Sequence, residues 1–185
     1  MTTLTIYQEG APTSPETVTD NPPRIAELLS EQGVRFEQWP TRDLPADASQ
    51  GQVLEAYREE IEGLKAECGF QTADVISLSA DNPQKDAFRK KFLDEHTHSE
   101  DEVRFFVRGQ GLFYLHFGES VYAVLCQKND LISVPNGTRH WFDMGPEPEF
   151  TAIRLFTNPE GWVADFTGED IASQLPRYEQ LTGAA

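Results

Sequence analysis

The chain has 185 residues, with 31 Asp and Glu against 15 Lys and Arg and a net charge of −16 at pH 7. That balance excludes nucleic acid and anionic membrane as partners, because both require basic patches, and it favours a monomer through self-repulsion. Two cysteines, Cys68 and Cys126, cannot build a disulfide framework, no apolar run approaches a membrane span, and MTTLTIYQEGAP lacks the features of a signal peptide. The expectation is a cytoplasmic protein with a small-molecule partner, folded as one domain that buries roughly 70 per cent of its unfolded surface.

LTIY near the start has strand character, and proline and threonine then dominate to residue 23. NPPRIAELLSEQG predicts a helix: Asn21 caps it, prolines open it, Ile25, Leu28 and Leu29 form its apolar stripe, and Gly33 ends it. VRFEQW predicts a short strand with Val34 and Phe36 on one face, and 41–48 a loop. Ser49 with Gln52 makes a capping box for a longer helix, with Val53, Leu54, Tyr57, Ile61 and Leu64 in helical spacing to about Cys68. ADVISLSA alternates as a strand. QKDAFRKKFL predicts a short helix with Phe88, Phe92 and Leu93 toward a core and its lysines and arginine toward solvent.

From Glu95 the period changes to two. Strands are expected at 102–108, 111–117, 120–126, 130–134, 139–143 and 149–156, with RGQG, FGES, QKND and MGPEPE as turns. Short, evenly spaced strands predict a mainly β chain built as a double-sheet jelly roll or small barrel. Residues 1–90 then form a mixed α/β elaboration, 91–157 the jelly-roll core, and 158–185 short helices and a tail, from NPEGW and GEDIASQLPRY.

Inside that core, HTHSEDE and PNGTRHW place His96, His98, Glu102 and His140 as metal ligands. On one extended strand the i, i+2 and i+6 side chains share a face, so His96, His98 and Glu102 converge if the segment stays extended, and His140 comes from a neighbouring strand. Three imidazoles and a carboxylate suit iron, nickel, cobalt, manganese or zinc rather than calcium, and an octahedral ion so held keeps two adjacent open positions. The fourth histidine, His116 in FYLHFG, reads as structural. Arg104, two residues beyond Glu102, faces the same interior on a continuing strand, and Arg154 in AIRLF needs a buried partner.

H-x-H-x3-E, then Gly109 after six intervening residues, then P-x-G-x2-H at Pro135, Gly137 and His140, resembles the two cupin motifs. Three generic positions depart from them: Lys90 and Asn129 stand where glycines are expected, and Met144 replaces an asparagine. EHTHSEDEVRFF, LISVPNGTRHWFDMG and RLFTNPEGW together resemble the acireductone dioxygenase family, cupin enzymes of methionine salvage, across roughly 88–162. The resemblance implies one Fe(2+) or Ni(2+) per chain, with iron the salvage-productive form. It implies 1,2-dihydroxy-5-methylthiopent-1-en-3-one and O2 as substrates, a catalytic role for Glu102 and Arg104, and substrate support from Arg154. It also implies that Phe92, Phe142 and Trp162 wall in the methylthio chain. Glu95 or Glu100 is the candidate to orient a ligand histidine.

Overall fold

A computed structural model describes residues 1–158 and 162–183. In chain order the elements are β1 (Thr3–Gln8), β2 (Thr17–Thr19), α1 (Pro22–Ser30), β3 (Arg35–Gln38), α2 (Gln50–Ala56), α3 (Arg58–Cys68), β4 (Thr72–Leu78), α4 (Lys85–Phe92), β5 (His96–Thr97), β6 (Glu102–Phe117), β7 (Ser120–Gln127), β8 (Asp130–Val134), β9 (Arg139–Asp143), β10 (Phe150–Phe156), β11 (Asp165–Phe166), α5 (Ile171–Gln174) and α6 (Tyr178–Thr182). The helical turn expected at 158–162 lies largely outside the described residues.

All pairings are antiparallel, and β6 belongs to two sheets. One runs β11-β5-β9-β6-β7-β1-β2. The other runs β4-β10-β6-β8-β3. This is the mainly β double-sheet architecture that the strand spacing predicted. The expected turn at RGQG is instead a bend within β6. Gly109 sits at φ +72, and a Cβ there would lie 1.7 Å from the Glu149 carbonyl oxygen, so only glycine lets β10 approach. The bend also shifts the side-chain phase: Arg104 and Phe106 face the inter-sheet space before it, Phe113 and Leu115 after it. Asn129, where the cupin pattern has glycine, is at φ +82, a conformation asparagine tolerates better than most residues.

Three apolar clusters explain why the strands are hydrophobic on both faces. Phe106, Phe113, Leu115, Ile132 and Phe142 pack between the sheets, with Ile25, Leu28 and Leu29 of α1 closing one side. Val103, Phe105 and Val107 point outward onto Val53, Tyr57, Ile61 and Leu64. Leu112, Tyr114 and Trp141 are covered by Ile171, Leu175 and Tyr178. Each large side chain so buried contributes roughly 1.5–3 kcal/mol.

Local signals worked as expected at the helix starts. Asn21 Oδ1 accepts from Arg24 N, and the Ser49–Gln52 capping box is reciprocal. The single helix expected to Cys68 breaks at Tyr57, which leaves helical geometry (φ −112, ψ 20) while its fully buried ring packs 4.8 Å from Phe105. β2 was not anticipated, since three residues carry no periodicity. The expectation that α4 turns its cations to solvent holds for the exposed Lys90 and Lys91 and is corrected for the other two: Arg89 binds Asp143 through Nε and Nη2 at 2.8 and 3.0 Å and Glu179 at 2.6 Å, and Lys85 pairs with Glu147. Their partners lie more than 50 residues away, beyond the reach of a helical spacing argument.

Candidate metal centre

His96 on β5 pairs across the ladder with His140 on β9, so one rung of the sheet sets two imidazoles side by side with ring centroids 4.5 Å apart. His98 lies just past the end of β5, and Glu102 opens β6. The three residues therefore do not share one extended strand. A turn at 99–101 brings Glu102 back against the histidines, fastened by bonds from Gly137 N to the His98 carbonyl and from Asn136 N to Asp101, both 2.8 Å. His96, His98, Glu102 and His140 are all buried, and their candidate ligand atoms lie within 4.8 Å of one another.

The backbone fixes each imidazole. Nδ1 of His96, His98 and His140 lies 2.8, 2.8 and 2.7 Å from the carbonyl oxygens of Asp94, Val163 and Thr138. A carbonyl only accepts, so each Nδ1 carries the proton and, in the neutral ring, Nε2 presents a lone pair. Nε2 of His98 and of His140 stands 3.0 and 3.1 Å from Glu102 Oε2. Two donors each about 2.1 Å from a first-row divalent ion and at right angles are roughly 3.0 Å apart, so the donor set fits such an ion in spacing as well as chemistry. Backbone carbonyls thus do the orienting expected of Glu95 or Glu100.

Burial and neighbouring charge together keep His96 and Glu102 deprotonated. Burial, reinforced by His140, lowers the His96 pKa to about 4. Burial also opposes the Glu102 carboxylate, but Arg104 and the rings of His140 and His98 outweigh it and hold Glu102 well below its ordinary value. His98 is likewise pushed down by burial, yet its contacts with Glu102 and Val163 raise it overall.

A cavity of about 740 Å³ opens onto the four residues. Arg104 is buried in its wall, Nε 2.9 Å from Glu102 Oε1 but off the line of its N–H, so the contact is ionic and the donor keeps no aligned acceptor. Its guanidinium carbon lies 4.6, 5.4, 5.6 and 6.0 Å from the ring centres of Phe142, Phe113, Trp162 and Phe92, a cation held among aromatic rings. Arg154 also lines the cavity. Its partner is the cross-strand Asp74, at 2.8 and 2.6 Å, and the pair is partly exposed rather than buried.

Phe92, Phe142 and Trp162 all line the same space. Sequence reasoning missed Asp74, Lys91, Phe156 and Phe166, which line it too. Only Asp74 left a trace, as an acid inside an apolar alternation. His116 is outside this cavity and bridges two carboxylates, with Nδ1 2.5 Å from the buried Glu95 and Nε2 2.5 Å from Glu9. Glu95 in turn accepts from Thr167 Oγ1 at 2.9 Å.

Two antiparallel sheets with a buried His/Glu metal-binding site between their strands define a metal-binding cupin. Residues 3–164 match the ARD/ARD′ family. The chain is 72% identical to an acireductone dioxygenase of Marinobacter nauticus over 100% of both chains, and 65% identical to one of Hahella chejuensis over 98% of both. It superposes on an acireductone dioxygenase from Bacillus anthracis with a cadmium ion in its active centre. That match has TM-score 0.77 and 33% identity, covering 90% of this chain and 98% of the other. The chain belongs to the acireductone dioxygenase family.

Proposed function

We infer that this chain is a cytoplasmic, metal-dependent acireductone dioxygenase of methionine salvage, acting on 1,2-dihydroxy-5-methylthiopent-1-en-3-one and O2. The observation that carries the reading is the set of three Nδ1-to-carbonyl hydrogen bonds, which leave three Nε2 lone pairs free to act with the Glu102 carboxylate in one cluster on a cavity that also holds a buried arginine. His96, His98, Glu102 and His140 would hold one Fe(2+) or Ni(2+). When bound, that ion supplies Lewis-acid chemistry for the enediol and for dioxygen. The chain works as one domain and as a monomer, in keeping with helices that close the sheet cores and with its self-repelling charge.

The protein's own groups set up the reaction. Glu102 contributes one negative charge, and Arg104 opposes it at 2.9 Å, so an anionic substrate entering beside Arg104 meets a positive wall. The guanidinium donors of Arg104 orient a substrate oxygen and stabilise its deprotonated form. Arg154, locked by Asp74, offers a second cation along the same cavity. Phe92, Phe142 and Trp162 exclude water and receive the thioether chain, where sulfur and ring edges attract. The ligand set is common to both metals, so the products follow the ion: iron gives 4-methylthio-2-oxobutanoate and formate, nickel gives 3-methylthiopropanoate, formate and carbon monoxide.

The test is oxygen-dependent decay of the acireductone by protein loaded anaerobically with iron or with nickel, with headspace carbon monoxide recorded. Decay with both, and carbon monoxide from nickel alone, supports the reading. Bound metal without decay refutes it.

A further inference from the structure

Gly111 stands inside β6, where a side chain would ordinarily stabilise the strand and a glycine weakens it. Unlike Gly109, it does not occupy positive φ, so its backbone gives no reason for glycine. Its neighbour does. A Cβ on Gly111 would lie 2.3 Å from Cζ and 2.5 Å from Cε2 of Phe142. Phe142 on β9 pairs with Phe113, so its ring leans along the diagonal onto the residue two places back on the same face. The tip of the ring rests on bare backbone, and its centre lies 4.6 Å from the Arg104 guanidinium carbon.

We propose that Gly111 is a positioning residue for Arg104. The missing side chain lets Phe142 settle onto β6, and the depth of that ring fixes where the guanidinium stands beside Glu102 and the cavity. A methyl group at 111 obliges the ring to retreat by about 1 Å to reach ordinary contact with it. That motion is passed to Arg104, which is packed against the same ring. The claim rests on the assignment of Arg104 as the substrate-orienting group, and an error of about 1 Å in such a group costs on the order of 10- to 100-fold in rate.

The experiment compares Gly111→Ala, Phe142→Leu and the double variant with the unaltered protein, all with iron content measured. Turnover is followed with the acireductone and with an analogue carrying methylene in place of sulfur, and the Nε–H resonances of Arg104 and Arg154 are followed in arginine-labelled, metal-free protein. Gly111→Ala is expected to lower kcat/KM by ~10- to 100-fold on both substrates at unchanged metal content, and to move the Arg104 resonance while Arg154, held by Asp74, stays in place. In the Phe142→Leu background, which lacks Cζ and Cε2, the alanine is expected to change kcat/KM by less than about twofold. An unmoved Arg104 resonance, or the same loss in both backgrounds, overturns the proposal. If Gly111→Ala does not fold, Phe142→Leu alone decides. A shifted Arg104 resonance with equal losses on both substrates upholds it, and a loss confined to the thioether substrate overturns it. Wild-type protein inert toward the acireductone refutes the assigned function instead, and the resonance then decides the positioning claim by itself.

Discussion

Asp143 is the residue whose removal should cost this fold most among the polar groups outside the metal centre. It is fully buried and accepts from Arg89 Nε at 2.8 Å, Arg89 Nη2 at 3.0 Å, Gly145 N at 3.0 Å and Tyr178 N at 3.0 Å. One carboxylate thus joins β9, the helix that carries Phe92, and the start of α6. Asp143→Ala strands two amide N–H groups, at roughly 1–3 kcal/mol each, and leaves a largely buried guanidinium with Glu179 as its remaining partner. These costs overlap, and removing one member of a buried ion pair typically costs about 3–5 kcal/mol, so ~4 kcal/mol is the expected loss. For a chain of this size that lowers Tm by roughly 8–16 °C. The assay is thermal unfolding of metal-free protein, followed by circular dichroism and calorimetry, so that bound metal does not mask the loss. Arg89→Met and the double variant complete a cycle with an expected coupling above about 1 kcal/mol. A Tm loss below about 4 °C, or additivity within about 0.5 kcal/mol, would show that the network carries little of the stability.

Other consequences concern the metal centre and its surroundings. His98→Ala should lose bound iron and turnover together. His116→Ala should instead lose roughly 1–3 kcal/mol of stability, because the buried Glu95 carboxylate keeps only Thr167 as side-chain partner, while its folded fraction keeps the metal; equal metal loss in both variants would contradict this division. Metal affinity should fall on acidification, since the metal-free site takes up protons that the metal must displace. His98, raised by Glu102 and Val163 against burial, takes up its proton before His96, whose pKa burial lowers to about 4. Chelator competition between pH 8 and pH 5, corrected for the chelator's own protonation, should show affinity falling as pH drops; a flat profile throughout would count against it. Arg154→Ala breaks a partly exposed pair with Asp74 and should cost less than about 1 kcal/mol of stability, so a changed KM at nearly constant Tm is the expected signature. Tm falling with activity would make Arg154 a structural residue.

The sequence by itself determined the donor types and the local devices. His96, His98, Glu102 and His140 announce a mixed nitrogen and oxygen site by composition and spacing, the Asn21 and Ser49 caps start helices through contacts within four residues, and the near-continuous apolar runs of the strands from Glu102 onward demand two covered faces. Those signals are short-range, and short-range physics is written in short strings. Tertiary structure decided what depends on partners distant in the chain. It turned the presumed single ligand strand into β5, a turn and β6. It assigned ligand orientation to the carbonyls of Asp94, Val163 and Thr138, because any backbone carbonyl can accept and none is marked in the sequence. It also drew Arg89 from solvent to Asp143, and gave Arg154 the cross-strand Asp74. The meaning of Gly111 is of the same kind: a glycine in a strand looks like a defect until the ring of Phe142, 31 residues later, is seen resting on it.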